Sequence, residues 1–307
     1  MTCWWGIQVR AREPEPQRPR HVKLRLSSPA AATAGALPEI VALLDRVFPR
    51  DRPRTPDLMW QYLRNPAGPA RYVNAYSESG ELIAHYAVLP TPPLAESPVG
   101  FARAYFSLNT AVDHKARVPG LMVATARALF RGLQEEEGPA LVLGVANENS
   151  FQGFVRMLGF RHLGRLSLTL HVPGTLPAIT APRALAQDPI HLAWRAARPG
   201  MATYGDPAGG ALTVRLRYHG VPLDAVLSTG LPEEAVAGLA LPRPAVWVPR
   251  LYASFGARVG GGVAVPGRLR PSPLEYIVRV LGDAALVEPV CRHLLARRFE
   301  FLDFDVV

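Results

Sequence analysis

Cysteine is almost absent from this chain. Its 307 residues include only Cys3 and Cys291. Two cysteines so far apart in sequence have neither the spacing of a zinc site nor the density of a disulfide framework. We therefore expect a protein of a reducing compartment, the cytoplasm, with no bound metal.

Long apolar runs are also lacking. Proline or arginine interrupts each run before it reaches the roughly 18 residues that suggest a membrane-spanning helix. The N-terminal segment, Met1 to Ile7, has no basic region ahead of it and so does not look like a secretion signal. Residues 1–20 are predicted to be a disordered tail, and no membrane association is expected.

Charged residues are few, at 19% of the chain, and basic ones prevail by 34 to 25, which gives a net charge of +9. This balance favours anionic ligands. No run of basic residues alternates with aromatic ones, so nucleic acid is disfavoured as a partner. The 31 prolines and 49% hydrophobic residues favour two modest, compact domains with irregular connections over a helical bundle.

The most informative segment combines a strand, a basic turn and a helix. Residues 104–112 are rich in aromatic and β-branched side chains, which predicts a strand. A Pro-Gly pair follows, and residues 121–133 then carry apolar side chains at helical spacing. The N–H groups at such a helix start form an anion site because they lack intrahelical partners. Residues 140–146 predict a buried strand, and Asn147 predicts the cap of a second helix.

Two stretches in this region resemble the GCN5-related N-acetyltransferase superfamily. Arg117 to Met122 is similar to the family's Arg-x-x-Gly-x-Gly loop, which holds the acyl-CoA pyrophosphate, and Asn147 to Phe160 is similar to its helix beside the CoA arm. The resemblance covers roughly residues 22–172. It implies an α/β fold of the α+β type, with a mixed, mostly antiparallel sheet flanked by helices. It also implies acetyl-CoA, or another acyl-CoA, as the cofactor.

The resemblance further implies which residues hold the cofactor. The strand that ends at Val112 should splay from its neighbour after a bulge, so that its backbone pairs with the pantetheine amides. The implied cofactor-binding residues are Thr110, Ala111, Val112, Arg117, Val118, Gly120, Leu121, Met122, Asn147 and Phe154. The chain departs from the family in three ways. Met122 stands where the family's loop usually ends in a small residue. Pro119 removes one N–H donor from the loop, and Phe154 and Val155 stand where members that use a general acid usually carry a tyrosine.

Acceptor-facing residues are expected upstream of this segment. Helices are predicted over residues 37–48 and around Trp60, followed by a hairpin whose second strand contains His85 and Tyr86. Strand alternation directs one of these two into the central cleft, so His85 is a candidate catalytic residue and Tyr86 a candidate substrate-binding residue. Trp60 is a second substrate-binding candidate. The alternatives are a core aromatic for Trp60 and a hydrogen-bonded structural histidine for His85.

Asp113 is the other catalytic candidate, because it ends the cofactor strand. Its alternative role is that of a turn or cap residue, since aspartate at a strand end hydrogen-bonds its own backbone. Asp303 and Asp305 alternate with apolar residues in a strand predicted over residues 299–307. They would either bind a cationic acceptor or form the solvent face of an edge strand.

The second half of the chain predicts a second unit. Residues 165–172 alternate strictly and should close the first sheet. The proline- and alanine-rich residues 174–190 are then expected to link residues 21–173, an acyl-CoA-binding domain resembling this family, to residues 191–307, a degenerate second copy of the same fold. In this second copy a strand is predicted over residues 245–248 and a short helix over residues 289–297. No phosphate-binding loop is visible there.

The function expected from this pattern is that of an acyl-CoA-dependent N-acyltransferase. It would transfer acetyl from acetyl-CoA to a primary amine of a small molecule, such as an amino sugar or a cationic metabolite. Two alternatives stay open. One is a non-catalytic acyl-CoA-binding or scaffold protein, and the other is an aminoacyl-tRNA-dependent transferase, because such enzymes also use tandem copies of this fold. The acyl length and the oligomeric state stay open as well.

Overall fold

The computed structural model describes residues 25–48, 55–97, 101, 103–116, 118–177, 179, 181–186, 188–218, 220–256, 260–270 and 273–303. The predicted N-terminal tail lies outside these ranges, as do Arg117 and Asp305. The helices of the described part are α1 (Leu37–Val47), α2 (Thr55–Leu63), α3 (Leu121–Glu137), α4 (Glu148–Gln152), α5 (Pro189–Ala196), α6 (Glu233–Ala237) and α7 (Val287–Leu295). The strands are β1 (Arg25–Leu26), β2 (Ala30–Ala31), β3 (Arg71–Tyr76), β4 (Leu82–Thr91), β5 (Arg103–Val112), β6 (Ala140–Ala146), β7 (Arg161–Arg165), β8 (Ser167–His171), β9 (Ala202–Asp206), β10 (Ala211–Tyr218), β11 (Val221–Ser228), β12 (Arg250–Phe255), β13 (Gly262–Ala264), β14 (Glu275–Leu281) and β15 (Phe299–Glu300).

The first sheet has the order β1-β3-β4-β5-β6-β14-β7, with β2 beside β3. Its neighbouring strands are antiparallel except for β5 and β6, which run parallel with α3 as their crossover. The second sheet has the order β13-β8-β12-β11-β10-β9, with β15 on β12, and here β11 and β12 form the parallel pair. The predicted mixed, mostly antiparallel α/β architecture is confirmed.

The two sheets exchange strands. The prediction that residues 165–172 form one strand that closes the first sheet is wrong. The strand is interrupted at Leu166, so that β7 stays in the first sheet and β8 pairs with β12 in the second. In return β14, from the C-terminal part of the chain, lies between β6 and β7. The division of the chain at residues 174–190 stays a prediction. The exchanged strands β8 and β14 connect the part of the chain before this segment with the part after it.

Helices cover both faces of the first sheet. The apolar side chains of α1 recur at Leu37, Ile40 and Leu44, which puts them on one helix face, and they pack on one side of β3 and β4. Helix α3 packs on the other side through Val123 and Phe130, among others. Strand β4 is consequently buried on both faces, and its side chains alternate between an α1–α2 side and an α3 side.

Two C-terminal predictions are wrong. The strand predicted over residues 245–248 is a turn flanked by prolines, in which the side chain of Trp247 is 68% exposed, and the strand begins only at Arg250. The terminal strand ends at Glu300, because Phe301–Asp303 forms a 3-10 turn. The helix predicted over residues 289–297 is present as α7. No helix within the described ranges has the length and hydrophobicity needed to cross a bilayer.

Candidate functional site

The parallel strands β5 and β6 diverge and open a cleft. They pair only from Arg103↔Ala140 to Ser107↔Gly144. Beyond this point β5 pairs with β4 alone, so one backbone edge of residues 108–112 faces open space. The cleft has a volume of about 1030 Å³, which is the size of a small-molecule site. The divergence predicted after a bulge is thus present.

The bulge lies at Asn109. The β4–β5 register shifts between His85 and Ala87, and Asn109 adopts a left-handed conformation with φ of +48°. Asparagine tolerates this conformation better than most residues. Its side-chain amide donates to Gln61 Oε1 at 2.8 Å and to the Tyr62 hydroxyl at 3.1 Å. Two residues of α2 therefore hold the side chain of the bulge residue.

The hydrogen bonds that hold the bulge continue from Tyr62 to the buried His85. The Tyr62 hydroxyl is 2.9 Å from His85 Nε2, and His85 Nδ1 is 2.7 Å from Asn74 Oδ1. Burial lowers the pKa of His85 to about 3, so the ring is neutral. Because Asn74 Oδ1 can only accept, Nδ1 donates and Nε2 accepts from Tyr62. Both ring nitrogens are engaged and His85 is 1% exposed. Its catalytic role stays a prediction, and this geometry favours the structural alternative.

Tyr86 points to the opposite side of β4 from His85. Its ring is fully buried against Phe130 and Phe154, on the α3 side. The hydroxyl lies 2.8 Å from the hydroxyl oxygen of Ser107. Alternation along the strand was the basis of the prediction, but both neighbours are buried, so neither reaches the cleft surface with its own polar atoms. Tyr86 and Trp60 are not brought together.

The start of α3 lies at one end of the cleft. Gly120 precedes the helix with φ of +76°, and the space around its Cα is open. The Leu121 N–H donates to the Val118 carbonyl at 3.3 Å and the Ala124 N–H to that of Gly120 at 2.9 Å. The N–H groups of Met122 and Val123 then belong to the free first turn of the helix. The Met122 side chain lines the cleft, whereas Leu121 is buried.

Asp113 is held as a turn residue. It is 3% exposed, and its carboxylate accepts from Arg46 Nε at 2.9 Å and from the Lys115 N–H at 2.9 Å. Burial alone would raise the pKa of Asp113, but these hydrogen bonds and the charge of Arg46 bring it below its usual value. Asp113 is not among the described residues that line the cleft. The geometry favours its cap role over catalysis.

Helix α4 forms the opposite wall of the cleft. Asn147 caps it: Oδ1 accepts from the Asn149 N–H at 3.1 Å and the Ser150 N–H at 3.0 Å, as the sequence predicted. Phe154 lines the cleft and packs against Phe160, with ring centroids 5.1 Å apart. The wall therefore presents an aromatic ring without a hydroxyl where a general acid would be expected.

The other end of the cleft lies between α2 and the segment after α5. Trp60 lines the cleft and stacks on Trp194, with centroids 4.4 Å apart. Each indole N–H donates to the other residue's carbonyl, at 2.8 and 3.1 Å. Asp57 and Arg198 carry the charges among the lining residues that the structure describes. The Arg198 guanidinium lies 5.6 Å from the Trp60 ring centroid.

Asp303 is not among the residues that line the cleft. It borders a second, small cavity with Arg195 and Trp194, and its Oδ2 accepts from the Glu300 N–H at 2.7 Å. Burial, and then the charge of Glu300, raise the pKa of Asp303 to about 7. The prediction that Asp303 projects from a terminal strand is wrong, because it belongs to the 3-10 turn after β15. Asp305 lies outside the described residues.

Sequence reasoning missed several cleft residues. Ser107, Asn109, Gln61 and the segment 198–201 line the cleft, yet none has a type or spacing that marks a site. The one available signal was an asparagine inside an otherwise β-forming run, because asparagine is depleted in strands. In the described part of the chain, no group of three histidine, cysteine, aspartate or glutamate side chains could hold a metal ion.

Comparison with known proteins gives structural likenesses only. No family model matches the chain, and no curated protein sequence matches it significantly. A conserved protein of unknown function from Enterococcus faecalis, described as a probable N-acyltransferase, is 9% identical, with a TM-score of 0.51 over 84% of this chain and 73% of that one. A GCN5-related N-acetyltransferase from Anabaena variabilis is 11% identical over the same shares, with a TM-score of 0.49. An Escherichia coli GNAT-family N-acetyltransferase in complex with CoA is 19% identical, with a TM-score of 0.35 over 46% of this chain and 68% of that one.

The likeness to the Enterococcus faecalis protein covers 84% of this chain, so it extends beyond the first sheet into the second half of the chain. The first sheet of this chain has one parallel pair that diverges after a bulge, with a helix N-terminus at its open end. The chain therefore has the fold of the GCN5-related N-acetyltransferase superfamily.

Proposed function

We propose that this protein is an acyl-CoA-dependent N-acyltransferase that transfers acetyl from acetyl-CoA to the amine of a small molecule. The observation that carries this proposal is the cleft between β5 and β6, which runs from the N-terminus of α3 to the point where the strands meet at Ser107 and Gly144. An acyl-CoA has an anionic end, which the N–H groups of a helix N-terminus can bind. It also has an extended arm with two amides, which the unpaired edge of a strand can bind.

The dimensions of the cleft fit such an arm. From Val112 to Ser107 is five strand residues, which span roughly 17 Å, and an extended pantetheine arm is of comparable length. The backbone edge of residues 108–112 supplies N–H and C=O groups with no strand partner on the cleft side. The first turn of α3 supplies N–H donors and the positive end of a helix dipole for the phosphates. The excess of basic residues acts in the same direction.

The chemistry required of the protein is modest. A neutral amine attacks the thioester carbon from the α2 side, the new C–N bond forms, and the C–S bond breaks with its electron pair on sulfur. Backbone N–H groups at the Asn109 bulge would stabilise the oxyanion. The nitrogen loses one proton and the thiolate gains one, so no covalent enzyme intermediate is needed. Asp57 and Arg198, at the acceptor end, are the described charged groups that could orient the amine substrate.

The phosphate end gives the sharpest test. In Gly120→Asp, a carboxylate would stand in the open space before α3 and repel the phosphates. Gly138 is the matched control, because it ends the same helix with the same φ of +76° and equally open surroundings. Isothermal titration with acetyl-CoA should show at least about a tenfold loss of affinity for Gly120→Asp and unchanged affinity for Gly138→Asp. Equal affinities in the two variants would remove the phosphate assignment.

A further inference from the structure

The Ser107 hydroxyl group lies where the pairing of β5 with β6 ends. Ser107 is the last β5 residue paired with β6, it lines the cleft, and it is 7% exposed. Its partner Gly144 has no side chain, and a Cβ at that position would lie 3.6 Å from the Ser107 Cβ and 3.2 Å from a side-chain carbon of Ile277. Glycine at this position therefore leaves the serine side chain open to the cleft.

Tyr86 fixes the orientation of this serine. The two hydroxyl oxygens are 2.8 Å apart, and Ser107 is the partner of the tyrosine hydroxyl in the described part of the molecule. Burial raises the pKa of Tyr86, so it keeps its proton. Arg279 of β14 is the charged group that acts on it. A protonated, buried tyrosine hydroxyl satisfies its hydrogen by donating to Ser107 Oγ, which leaves the serine hydrogen free to point into the cleft.

We propose that the Ser107 hydroxyl donates a hydrogen bond to the coenzyme sulfur and that Tyr86 is the positioning residue that orients it. The inference rests on the proposed function, because it requires the pantetheine arm in the cleft. As the C–S bond breaks, its electron pair stays on sulfur, and a hydrogen bond to that anion is charge-assisted. Ser107 gives up no proton. The proton that the amine loses reaches the thiolate through solvent.

Other hydroxyls along the cleft are placed less well for this role. Thr110 lies three residues further along β5, about 10 Å towards the phosphate end. The Ser150 hydroxyl is engaged in the α4 cap, 3.0 Å from Asn147 Oδ1. Phe154, in the π-helical turn that follows α4, has no polar side-chain atom. Among the hydroxyl groups of the described lining residues, Ser107 is thus the one nearest to the position that an extended arm would give the sulfur.

The test needs no acceptor substrate. The affinities of the full chain for CoA and for desulfo-CoA are measured by titration calorimetry between about pH 6 and pH 10, around the usual thiol pKa. A hydrogen bond to the thiolate lowers the pKa of the bound thiol, so the preference for CoA over desulfo-CoA should rise with pH. Histidine, cysteine and lysine are missing from the described lining residues, so the thiol itself accounts for this rise. The ultraviolet absorbance of the bound thiolate gives the same pKa independently.

In Ser107→Ala the preference for CoA at high pH should fall about tenfold, while desulfo-CoA affinity stays unchanged. Ser107→Thr should restore the preference. Tyr86→Phe should show a smaller loss in the same direction, and it carries the test if Ser107→Ala is too unstable. Tyr105→Phe is the matched control, because it removes another buried hydroxyl, one that is paired with Glu137 and faces α3.

The outcomes separate the two proposals. If wild type and Ser107→Ala bind CoA with the same pH dependence, the role of Ser107 is wrong and the proposed function stands. If wild type binds neither CoA nor desulfo-CoA, both proposals fail. A preference that falls equally in Tyr86→Phe and Tyr105→Phe would contradict the positioning role of Tyr86.

Discussion

Substitution of Asn109 separates its two contributions to the bulge. Its side chain makes two hydrogen bonds, to Gln61 Oε1 and to the Tyr62 hydroxyl, while its backbone occupies the left-handed region. Glycine adopts that region without cost and loses only the hydrogen bonds, at about 0.5–1.5 kcal/mol each. Asn109→Gly should therefore lower the free energy of unfolding by about 1–3 kcal/mol. Asn109→Ala loses the same bonds and in addition bears a left-handed strain of about 1 kcal/mol.

Chemical denaturation of the two variants tests this reasoning. Asn109→Ala should be less stable than Asn109→Gly, although alanine is normally the more stabilising residue because it restricts the unfolded chain. Both variants should also bind acetyl-CoA more weakly, by roughly tenfold, because the bulge residue loses its hydrogen bonds to α2. If the alanine variant were as stable as the glycine variant, the left-handed conformation would be refuted. If coenzyme affinity were unchanged in both variants, the hydrogen bonds between Asn109 and α2 would have no role in coenzyme binding.

Two further predictions concern pH. Because burial lowers the pKa of His85 to about 3, the unfolded chain binds a proton that the folded one does not, so stability should fall as the pH drops from about 6.5 towards 3, by up to about 1.4 kcal/mol per pH unit. His85→Gln should reduce this slope in denaturation curves. The pKa of Asp303 is raised to about 7, so its contribution is present at low pH and lost as the pH rises through 7. Asp303→Asn should gain stability relative to wild type as the pH rises from about 4 to about 7, and an unchanged difference would contradict the burial of this carboxyl.

Local signals in the sequence were sufficient for most of the first sheet. The periodicity of residues 37–47 and 121–133, the hairpin at Ser79-Gly80 and the cap at Asn147 each depend on neighbours within a few residues, and each is present in the structure. The divergence of β5 from β6 was implied by the resemblance to a known family.

The strand exchange could not be predicted in this way. Nothing local distinguishes β14 from a strand of the second sheet, because its place between β6 and β7 is set by partners more than 100 residues away. The same holds for the break at Leu166, whose N–H donates to the carbonyl of Leu274, just before β14.

The site was predictable only where backbone conformation leaves a trace in residue type. Gly120 marks a left-handed position before a helix, and Asn147 marks a cap. Ser107, Gln61 and Trp194 acquire their roles from side chains brought together by tertiary packing, such as the Tyr86 hydroxyl and the Trp60 ring. His85 and Asp113 were singled out by residue type alone. Their environments show why type is insufficient, because the hydrogen bonds of both side chains are made to residues that do not line the cleft.

The central claim is that the cleft binds an acyl-CoA, and thermal melting with saturating acetyl-CoA tests it most directly. At a hundredfold excess over the dissociation constant, a ligand of the native state adds about 2.7 kcal/mol of stability, so the melting temperature should rise clearly. Gly120→Asp should lose the rise and Gly138→Asp should keep it. An unchanged melting temperature with acetyl-CoA, together with stabilisation by RNA that weakens steeply with salt, would contradict the account and favour a tRNA-dependent transferase.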